Sequence, residues 1–168
     1  IGGGRIALYL AWALDGMGMH ITIVEQNEEK CMAIAEKLPK ATILHGDGTD
    51  QHLLQEEGIE HMDAIAALTG IDEENIIISL FAGRTTRAKV ITKVNRNAFH
   101  NLIDKLDLGS VIYPKYITAE AIVAYVRAKQ ASMDSSNVET IYHMFDSRAE
   151  AIEFNVSASS RVTDVPLK

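Results

Sequence analysis

The sequence predicts an α/β fold with a doubly wound parallel sheet, and three observations carry that expectation. Helix-length and strand-length apolar segments alternate from the first residue to about residue 127, which is the pattern of consecutive βαβ units. The stretch Gly2-Gly3-Gly4-Arg5-Ile6-Ala7 has the GxGxxG/A spacing of a turn that launches a helix and leaves its amides free for an anion. Glu25 lies 21 residues beyond Gly4, at the end of the next strand-length run. There a carboxylate can take both ribose hydroxyls of an adenosine and repel a 2′-phosphate. Together these features predict a Rossmann-like nucleotide fold.

Taken in order, the first helix follows the glycine turn, with Ala7, Leu10, Ala11 and Leu14 at i, i+3, i+4 and i+7 as its buried stripe. Such a turn needs a strand ahead of it, of which the sequence holds Ile1, so the chain reads as a piece of a longer one. Five further runs, His20–Glu25, Ala41–His45, Asp63–Leu68, Lys89–Val94 and Ser110–Tyr113, are short enough to be strands covered on both faces. Between them, Cys31, Ile34, Ala35 and Leu38 make a second helical stripe, and Phe99, Leu102, Ile103 and Leu106 a third. Thr118 would cap one more helix, with Ala119, Ile122, Val123 and Val126 on one side and Ile117, Ala121, Ala124 and Tyr125 on the others. A helix apolar all round needs cover all round, which a second subunit or a second lobe is expected to give in preference to simple packing by the C-terminal arm.

Residues 1–130 thus form the expected nucleotide-binding domain, and residues 131–137 read as a linker. Two possible strands, Val138–Phe145 and Ala149–Val156, follow. Residues 138–168 are read as the opening of a second domain or an arm docked on the first.

Charge and composition exclude several classes of function. Sixteen Lys and Arg against 23 Asp and Glu give a formal charge of −7, which repels phosphate backbones and anionic membrane surfaces. No nucleic-acid partner is expected. Cys31 is the single cysteine, so there is no internal disulfide, and a reducing, cytosolic setting is favoured. No apolar run approaches the roughly 18 residues that span a bilayer, so any tie to a membrane would run through another protein and not by direct insertion. The six histidines show no i, i+4 pair and no nearby cysteine, which gives no zinc site. Cys31 falls on its helix's apolar stripe and reads as a core residue.

Further candidates sit at the carboxyl ends of the strands, where an open α/β sheet meets its ligand. In His45-Gly46-Asp47-Gly48-Thr49-Asp50, Thr49 or Asp50 would cap the next helix, and Asp47 is the candidate for the adenine edge. Thr69 and Gly70 place backbone where it can line a cofactor, while Asp72 and Glu73 suit the following helix N-terminus electrostatically. Lys93 ends a strand and either points a cation at the same crevice or lies in solvent. For the glycine turn itself, the competing reading is a turn beside an exposed Glu25 with no ligand.

A dehydrogenase would also need an acid or base beside the hydride acceptor. Tyr125 and Lys129 have the Tyr-x-x-x-Lys spacing of short-chain dehydrogenases. They lie in the all-round apolar helix, however, and the glycine turn lacks that family's TGxxxGxG spacing. A fragment of a small NAD-dependent oxidoreductase is kept as the alternative function.

In sequence order, GGGRI, TIVEQN, LHGDGTD, the run from Leu53 to Ala82 containing ALTGIDEEN, VITKVNR and VIYPKYITAEAIVAYVR resemble the RCK or KTN regulatory domain of the TrkA type of potassium-uptake protein. The resemblance covers roughly residues 1–130, and Ala149–Lys168 resembles the start of the TrkA C-terminal domain. It implies a non-catalytic cytoplasmic subunit, peripheral to the inner face of the membrane, that binds NAD or NADH, or else ATP and ADP. It also implies a homodimer or higher assembly that gates a membrane potassium transporter. The family's binding positions fall on Gly2, Gly3, Gly4, Arg5 and Ile6, on Glu25 as the ribose acid, on Thr69 and Gly70, and on Lys93, where many relatives carry Arg. Lys keeps the charge and loses the planar fork. Arg5 matches members in which this side chain reaches a nucleotide phosphate near the dimer interface.

Overall fold

The computed structural model describes residues 1–96, 103, 105–133, 138–144, 149–154 and 156, with side chains described for 1–96, 103, 105–127 and 156. In chain order the elements are α1 (Arg5–Gly16), β1 (Thr22–Glu25), α2 (Glu28–Lys37), β2 (Thr42–His45), α3 (Gln51–Glu56), a 3-10 turn (Ile59–His61), β3 (Ala64–Ala67), α4 (Asp72–Thr85), β4 (Lys89–Lys93), β5 (Ser110–Ile112), α5 (Pro114–Met133), β6 (Val138–Met144) and β7 (Ala149–Phe154). They divide into two compact units, Ile1–Pro114 and Lys115–Lys168.

Successive residues of a strand point to opposite faces, and β1 uses this to build both layers of the first unit. Ile23 clusters with Ala11 of α1 and with Ile34 and Leu38 from α2 and its C-cap. Its neighbour Val24 clusters with Leu54, Ile59, Ile65, Ala82 and Val90. Helices α1 and α2 therefore cover one face, and α3 and α4 the other. A third cluster, Val94, Ile103 and Leu108, closes the end beyond β4.

The strands pair in parallel throughout this unit. Val24 lies opposite Leu44 and Glu25 opposite His45 in the β1–β2 pair. Ala67 lies opposite Thr92 between β3 and β4, and Lys93 opposite Ile112 between β4 and β5. The pair and the triple are joined through Ile1 and Gly2. The Ile1 nitrogen donates to the Ala66 carbonyl at 2.7 Å, the Leu68 N–H donates to the Ile1 carbonyl at 2.8 Å, and the Gly2 N–H donates across to the Val24 carbonyl at 2.8 Å. That is the parallel-ladder pattern toward β3 and a single bond toward β1, made by a short central segment. The strand order is β2-β1-(Ile1)-β3-β4-β5, with the reversal of direction of build at Ile1. The expected doubly wound sheet is thus observed, as is the expected position of its first strand.

Several expectations need correction in detail. Leu10, placed in the first buried stripe, is exposed, and the stripe is carried by Ala7 and Ala11 with Leu8 and Leu14 half-buried. Two alanines bring the α1 backbone close to the sheet, which turns the larger Leu10 outward. Ala35 is likewise exposed, while Cys31, Ile34 and Leu38 are buried as expected. Strand β2 has apolar cover on both faces only at its centre, where Ile43 packs against one cluster and Leu44 against the other, while its end residues Thr42 and His45 are exposed. Phe99 and Leu102 of the third expected stripe lie outside the described residues, whereas Ile103 is helical and buried.

The last long helix begins at Pro114, four residues before the Thr118 expected to cap it. Proline suits the first helical position because its missing N–H would have no partner there and its φ is already helical. Ala131, Ser132 and Met133, expected in a linker, are helical, and residues 134–137 lie outside the described residues. In the second unit, β6 and β7 form an antiparallel pair with Ile141 opposite Ile152 and an irregularity between Val138 and Thr140.

Thr92 supplies a test of how the layers are tied. Wholly buried on β4, its hydroxyl lies 2.7 Å from both the Ser79 hydroxyl of α4 and the Leu108 carbonyl. Its one proton goes to the carbonyl, so Ser79 donates to it. Thr92→Val keeps the shape and leaves both partners unsatisfied, and it is expected to cost about 1–3 kcal/mol, read from the midpoint of urea unfolding at unchanged slope.

Candidate functional site

The reversal of strand order opens a crevice beyond the carboxyl ends of β1 and β3, and the glycine turn forms its floor. Gly2 has φ 94°, and a Cβ there would stand 2.8 Å from the Thr69 nitrogen and 2.9 Å from the Leu68 carbonyl carbon. A side chain is excluded on both conformational and steric grounds. At Gly3 a Cβ would meet the Glu25 carboxylate at 2.9 Å, whereas at Gly4 it would find nothing within 4 Å. Gly4 is the extended N-cap of α1, and no side chain caps that helix. The positive end of α1 therefore opens into free space at the mouth of the crevice. Arg5 and Ile6 are exposed there, and buried Ala7 lets the helix sit against the sheet.

Glu25 is 9% exposed, unlike the exposed glutamate of the competing reading. Its Oε2 accepts the Gly3 N–H at 2.7 Å and its Oε1 the Asn27 N–H at 2.9 Å. Each oxygen keeps a second lone pair, so the carboxylate is oriented by the backbone and still able to accept a diol. Cys31 donates its thiol to the Glu25 carbonyl at 3.3 Å, and burial together with the Glu25 charge pushes that thiol up. Cys31 is a core residue, in keeping with the reading of its helix stripe.

The loop after β2 divides its roles. Asp50 is the N-cap of α3 and accepts from the His52 and Leu53 amides. Asp47, the candidate for the adenine edge, turns its Oδ1 to the Thr49 N–H at 2.8 Å and the Thr49 hydroxyl at 2.7 Å, and these bonds hold its carboxyl below the usual range. One oxygen of this exposed side chain is thus committed to its own turn.

Across the crevice, Lys93 is buried and not in solvent. It is 8% exposed, and its Nζ donates to the Leu68 carbonyl at 3.0 Å. Burial pulls its pKa down, with the Asp72 charge opposing. The neighbouring Thr69 donates its N–H to the Asn75 Oδ1 at 2.8 Å, and the Asn75 amide donates to the Thr69 carbonyl at 3.2 Å and the Lys93 carbonyl at 3.0 Å. Gly70 is exposed with open space around it.

The sequence reading missed Asn75, which is wholly buried, and gave Asp72 too small a part. Asp72, 3% exposed, accepts from the backbone and side-chain amides of Asn95 and from the backbone N–H of Arg96, each at 2.9 Å. Arg96 Nε lies 3.4 Å from Asp72, and its Nη2 pairs with Glu73. An open cavity of about 290 Å³ lies between Gly70, Asp72, Asn95 and Arg96. The signal was present in the spacing: Asp72, Asn75, Ser79 and Ala82 fall on one face of α4, and together with Ile78 they make its buried side a mixture of polar, small and apolar residues.

Tyr125 is 65% exposed on α5, and the Lys129 side chain lies outside those described. Among the described residues no group of three or more His, Cys, Asp or Glu could hold a metal ion, and no helix is long and apolar enough to cross a membrane. What the crevice offers is an open helix N-terminus for an anionic group and a backbone-oriented carboxylate for a diol, which together fit a nucleotide.

Comparison with known proteins agrees with this geometry. The TrkA-N domain matches residues 1–114. The chain is 32% identical over 168 residues to Trk system potassium uptake protein trkA homolog 1 of Methanosarcina mazei, covering 99% of this chain and 40% of the relative. It is 35% identical over 166 residues to the Trk system potassium uptake protein TrkA of Haemophilus influenzae, covering 96% of this chain and 34% of the relative. The chain therefore spans two fifths or less of these relatives. Among solved structures, the NAD(P)-binding domain of an exopolyphosphatase-related protein from Archaeoglobus fulgidus superposes with a TM-score of 0.60 at 20% identity, over 79% of this chain and 91% of that one. The GsuK channel bound to NAD superposes at 0.57 and 16% identity, over 87% of this chain and 24% of that one.

Asp72 gives the site a pH signature. Burial alone would raise its carboxyl, yet the bonds from Asn95 and Arg96 outweigh burial and hold it below the usual range. A carboxyl lowered by folding contributes stability that is complete above its unfolded value near about 4 and is lost as the pH falls through the lowered folded value. Asp72→Ala is expected to cost about 1–3 kcal/mol at neutral pH. Denaturant unfolding at pH 7 and again at pH 3 checks this, and the gap between variant and parent narrows at the lower pH.

Proposed function

The chain belongs to the TrkA-N domain family, and on that premise we propose that it is the nucleotide-sensing part of a cytoplasmic regulatory subunit for a Trk-type potassium uptake transporter. The observation that carries the reading is the junction of Glu25 with the glycine turn: a carboxylate held by the Gly3 and Asn27 amides beside an open Gly4. In this reading the amides at Gly3, Gly4, Arg5 and Ile6 hold phosphate, Glu25 takes the ribose hydroxyls, and Thr69 and Gly70 form the far wall. Arg5 is placed to answer phosphate charge at the mouth, and Asp47 keeps one oxygen for the adenine edge. NAD or NADH is the first-choice ligand, because Glu25 repels a 2′-phosphate; ATP and ADP share the same adenosine chemistry.

The transporter partner and the cytoplasmic, membrane-peripheral location are inferred from the names of the relatives. Regulation then follows from linkage: a nucleotide shifts an assembly only by its difference in affinity for two arrangements, with a usual coupling of about 1–3 kcal/mol. A homodimer or higher assembly suits α5, where Ile117, Ile122, Val123, Tyr125 and Val126 are all exposed. Apolar area on every side of a helix calls for cover by another chain.

Two measurements test these readings. In calorimetric titration NAD is expected to bind at least about tenfold more tightly than NADP, and Glu25→Ala to weaken NAD by about tenfold or more, the worth of a hydrogen bond to a charged group. Equal affinity of the parent chain for the two cofactors overturns the ribose assignment. In sedimentation the chain is expected to run as a dimer or larger, and Ile122→Asp to shift it toward monomer. A parent chain that is monomeric at all concentrations overturns the role given to α5.

A further inference from the structure

Lys93 is a buried cation whose ammonium gives one of its three donors to a backbone carbonyl inside the fold. The Leu68–Thr69 peptide has both of its polar groups taken by side chains: the Leu68 carbonyl by Lys93 Nζ at 3.0 Å and the Thr69 N–H by Asn75 Oδ1 at 2.8 Å. Asn75 also bonds the Thr69 carbonyl at 3.2 Å and the Lys93 carbonyl at 3.0 Å, so the two residues are linked to each other. This same peptide is the surface against which Gly2 rests, with the Thr69 nitrogen 2.8 Å from where a Gly2 Cβ would be. A peptide at the end of a strand has no ladder partner to fix its plane. Rotating it here would strip a charge-assisted bond from one side and a buried amide bond from the other.

We propose that Lys93 and Asn75 are paired positioning residues that lock the plane of the Leu68–Thr69 peptide beneath the glycine turn, so that Lys93 serves a bound nucleotide through this peptide and not by touching its phosphates. The inference rests on the nucleotide reading of the crevice, and it deepens that reading by dividing the site into residues that touch the ligand and residues that hold the wall. The lowered basicity of the buried amine is in keeping with this assignment. A lone hydrogen-bond acceptor of fixed direction is satisfied by an ammonium, which has three donors on a flexible stem.

The experiment joins amide hydrogen exchange to a double-mutant cycle on the 168-residue chain. Without nucleotide, the Thr69 amide is expected to be protected, and Lys93→Met, which does not touch that amide, to speed its exchange about tenfold. In NAD titrations Lys93→Met and Asn75→Leu are each expected to weaken binding about tenfold, and the double variant to be hardly weaker than either single, because both act on one peptide. Asn75→Ser closes the same cycle should Asn75→Leu fail to fold. Thr69 exchange unchanged in Lys93→Met, or losses that multiply to about a hundredfold in the double variant, overturn the proposal and return Lys93 to direct phosphate contact. Should the parent chain bind no NAD, ATP or ADP, the nucleotide reading fails, and the exchange arm alone still decides the peptide lock.

Discussion

Everything in the first unit depends on the backbone bonds that Ile1 and Gly2 make to β1 on one side and β3 on the other. Among the described residues the β1–β2 pair and the β3–β4–β5 triple share no strand pairing, so the doubly wound order rests on this segment, which donates to and accepts from β3 and donates to β1. The chain must then leave the sheet at once and enter α1. Gly2 meets that demand with a positive φ and no side chain to strike the Leu68–Thr69 backbone. The same two residues that join the half-sheets therefore set the floor of the crevice, and the position of Glu25 is coupled to them through the Gly3 amide. Fold and site share one set of hydrogen bonds.

The second wall is built on polar groups buried deeper than such groups usually lie. Asp72, Asn75 and Ser79 of α4 and Thr92 and Lys93 of β4 are all buried. Apolar packing in their place would contribute comparable stability, since a buried hydrogen bond nets only about 1 kcal/mol. It would not, however, fix the direction of a peptide or a loop. Each member here has at least one hydrogen-bond partner, and in a low-dielectric interior such a network resists displacement, because moving a member leaves a donor or acceptor unmet. The polar face of α4 trades apolar burial for a wall of defined shape.

How much of this was legible in the sequence follows from what each feature asks of it. Periodicity and turn chemistry announce themselves within a few residues, so the strands, the glycine turn, the Asp50 cap and the spacing of Glu25 could all be read along the chain. The helical stripes were less exact: Leu10 and Ala35 satisfy the period yet face outward, because the two small residues Ala7 and Ala11 and the edge position of β2 decide how each helix rolls. Asn75 was missed because its partners, Thr69 and Lys93, are 6 and 18 residues away, and a charged run at a helix start reads first as dipole compensation. Lys93 shows the same limit. Its place at a strand end was evident, but its direction was set by a carbonyl 25 residues earlier.

Position 93 holds a lysine where a guanidinium would make different demands. A guanidinium presents five donors in a rigid plane and asks for two or more acceptors arranged to match. The interior beside Leu68 offers Lys93 one carbonyl at hydrogen-bonding distance and a carboxylate, Asp72, near enough to favour the charge. An arginine seated here would have to reach outward, toward the crevice and an anion, to satisfy its remaining donors. On the proposed assignment, the choice between ammonium and guanidinium at this strand end selects between a charge that shapes the wall and one that meets the ligand.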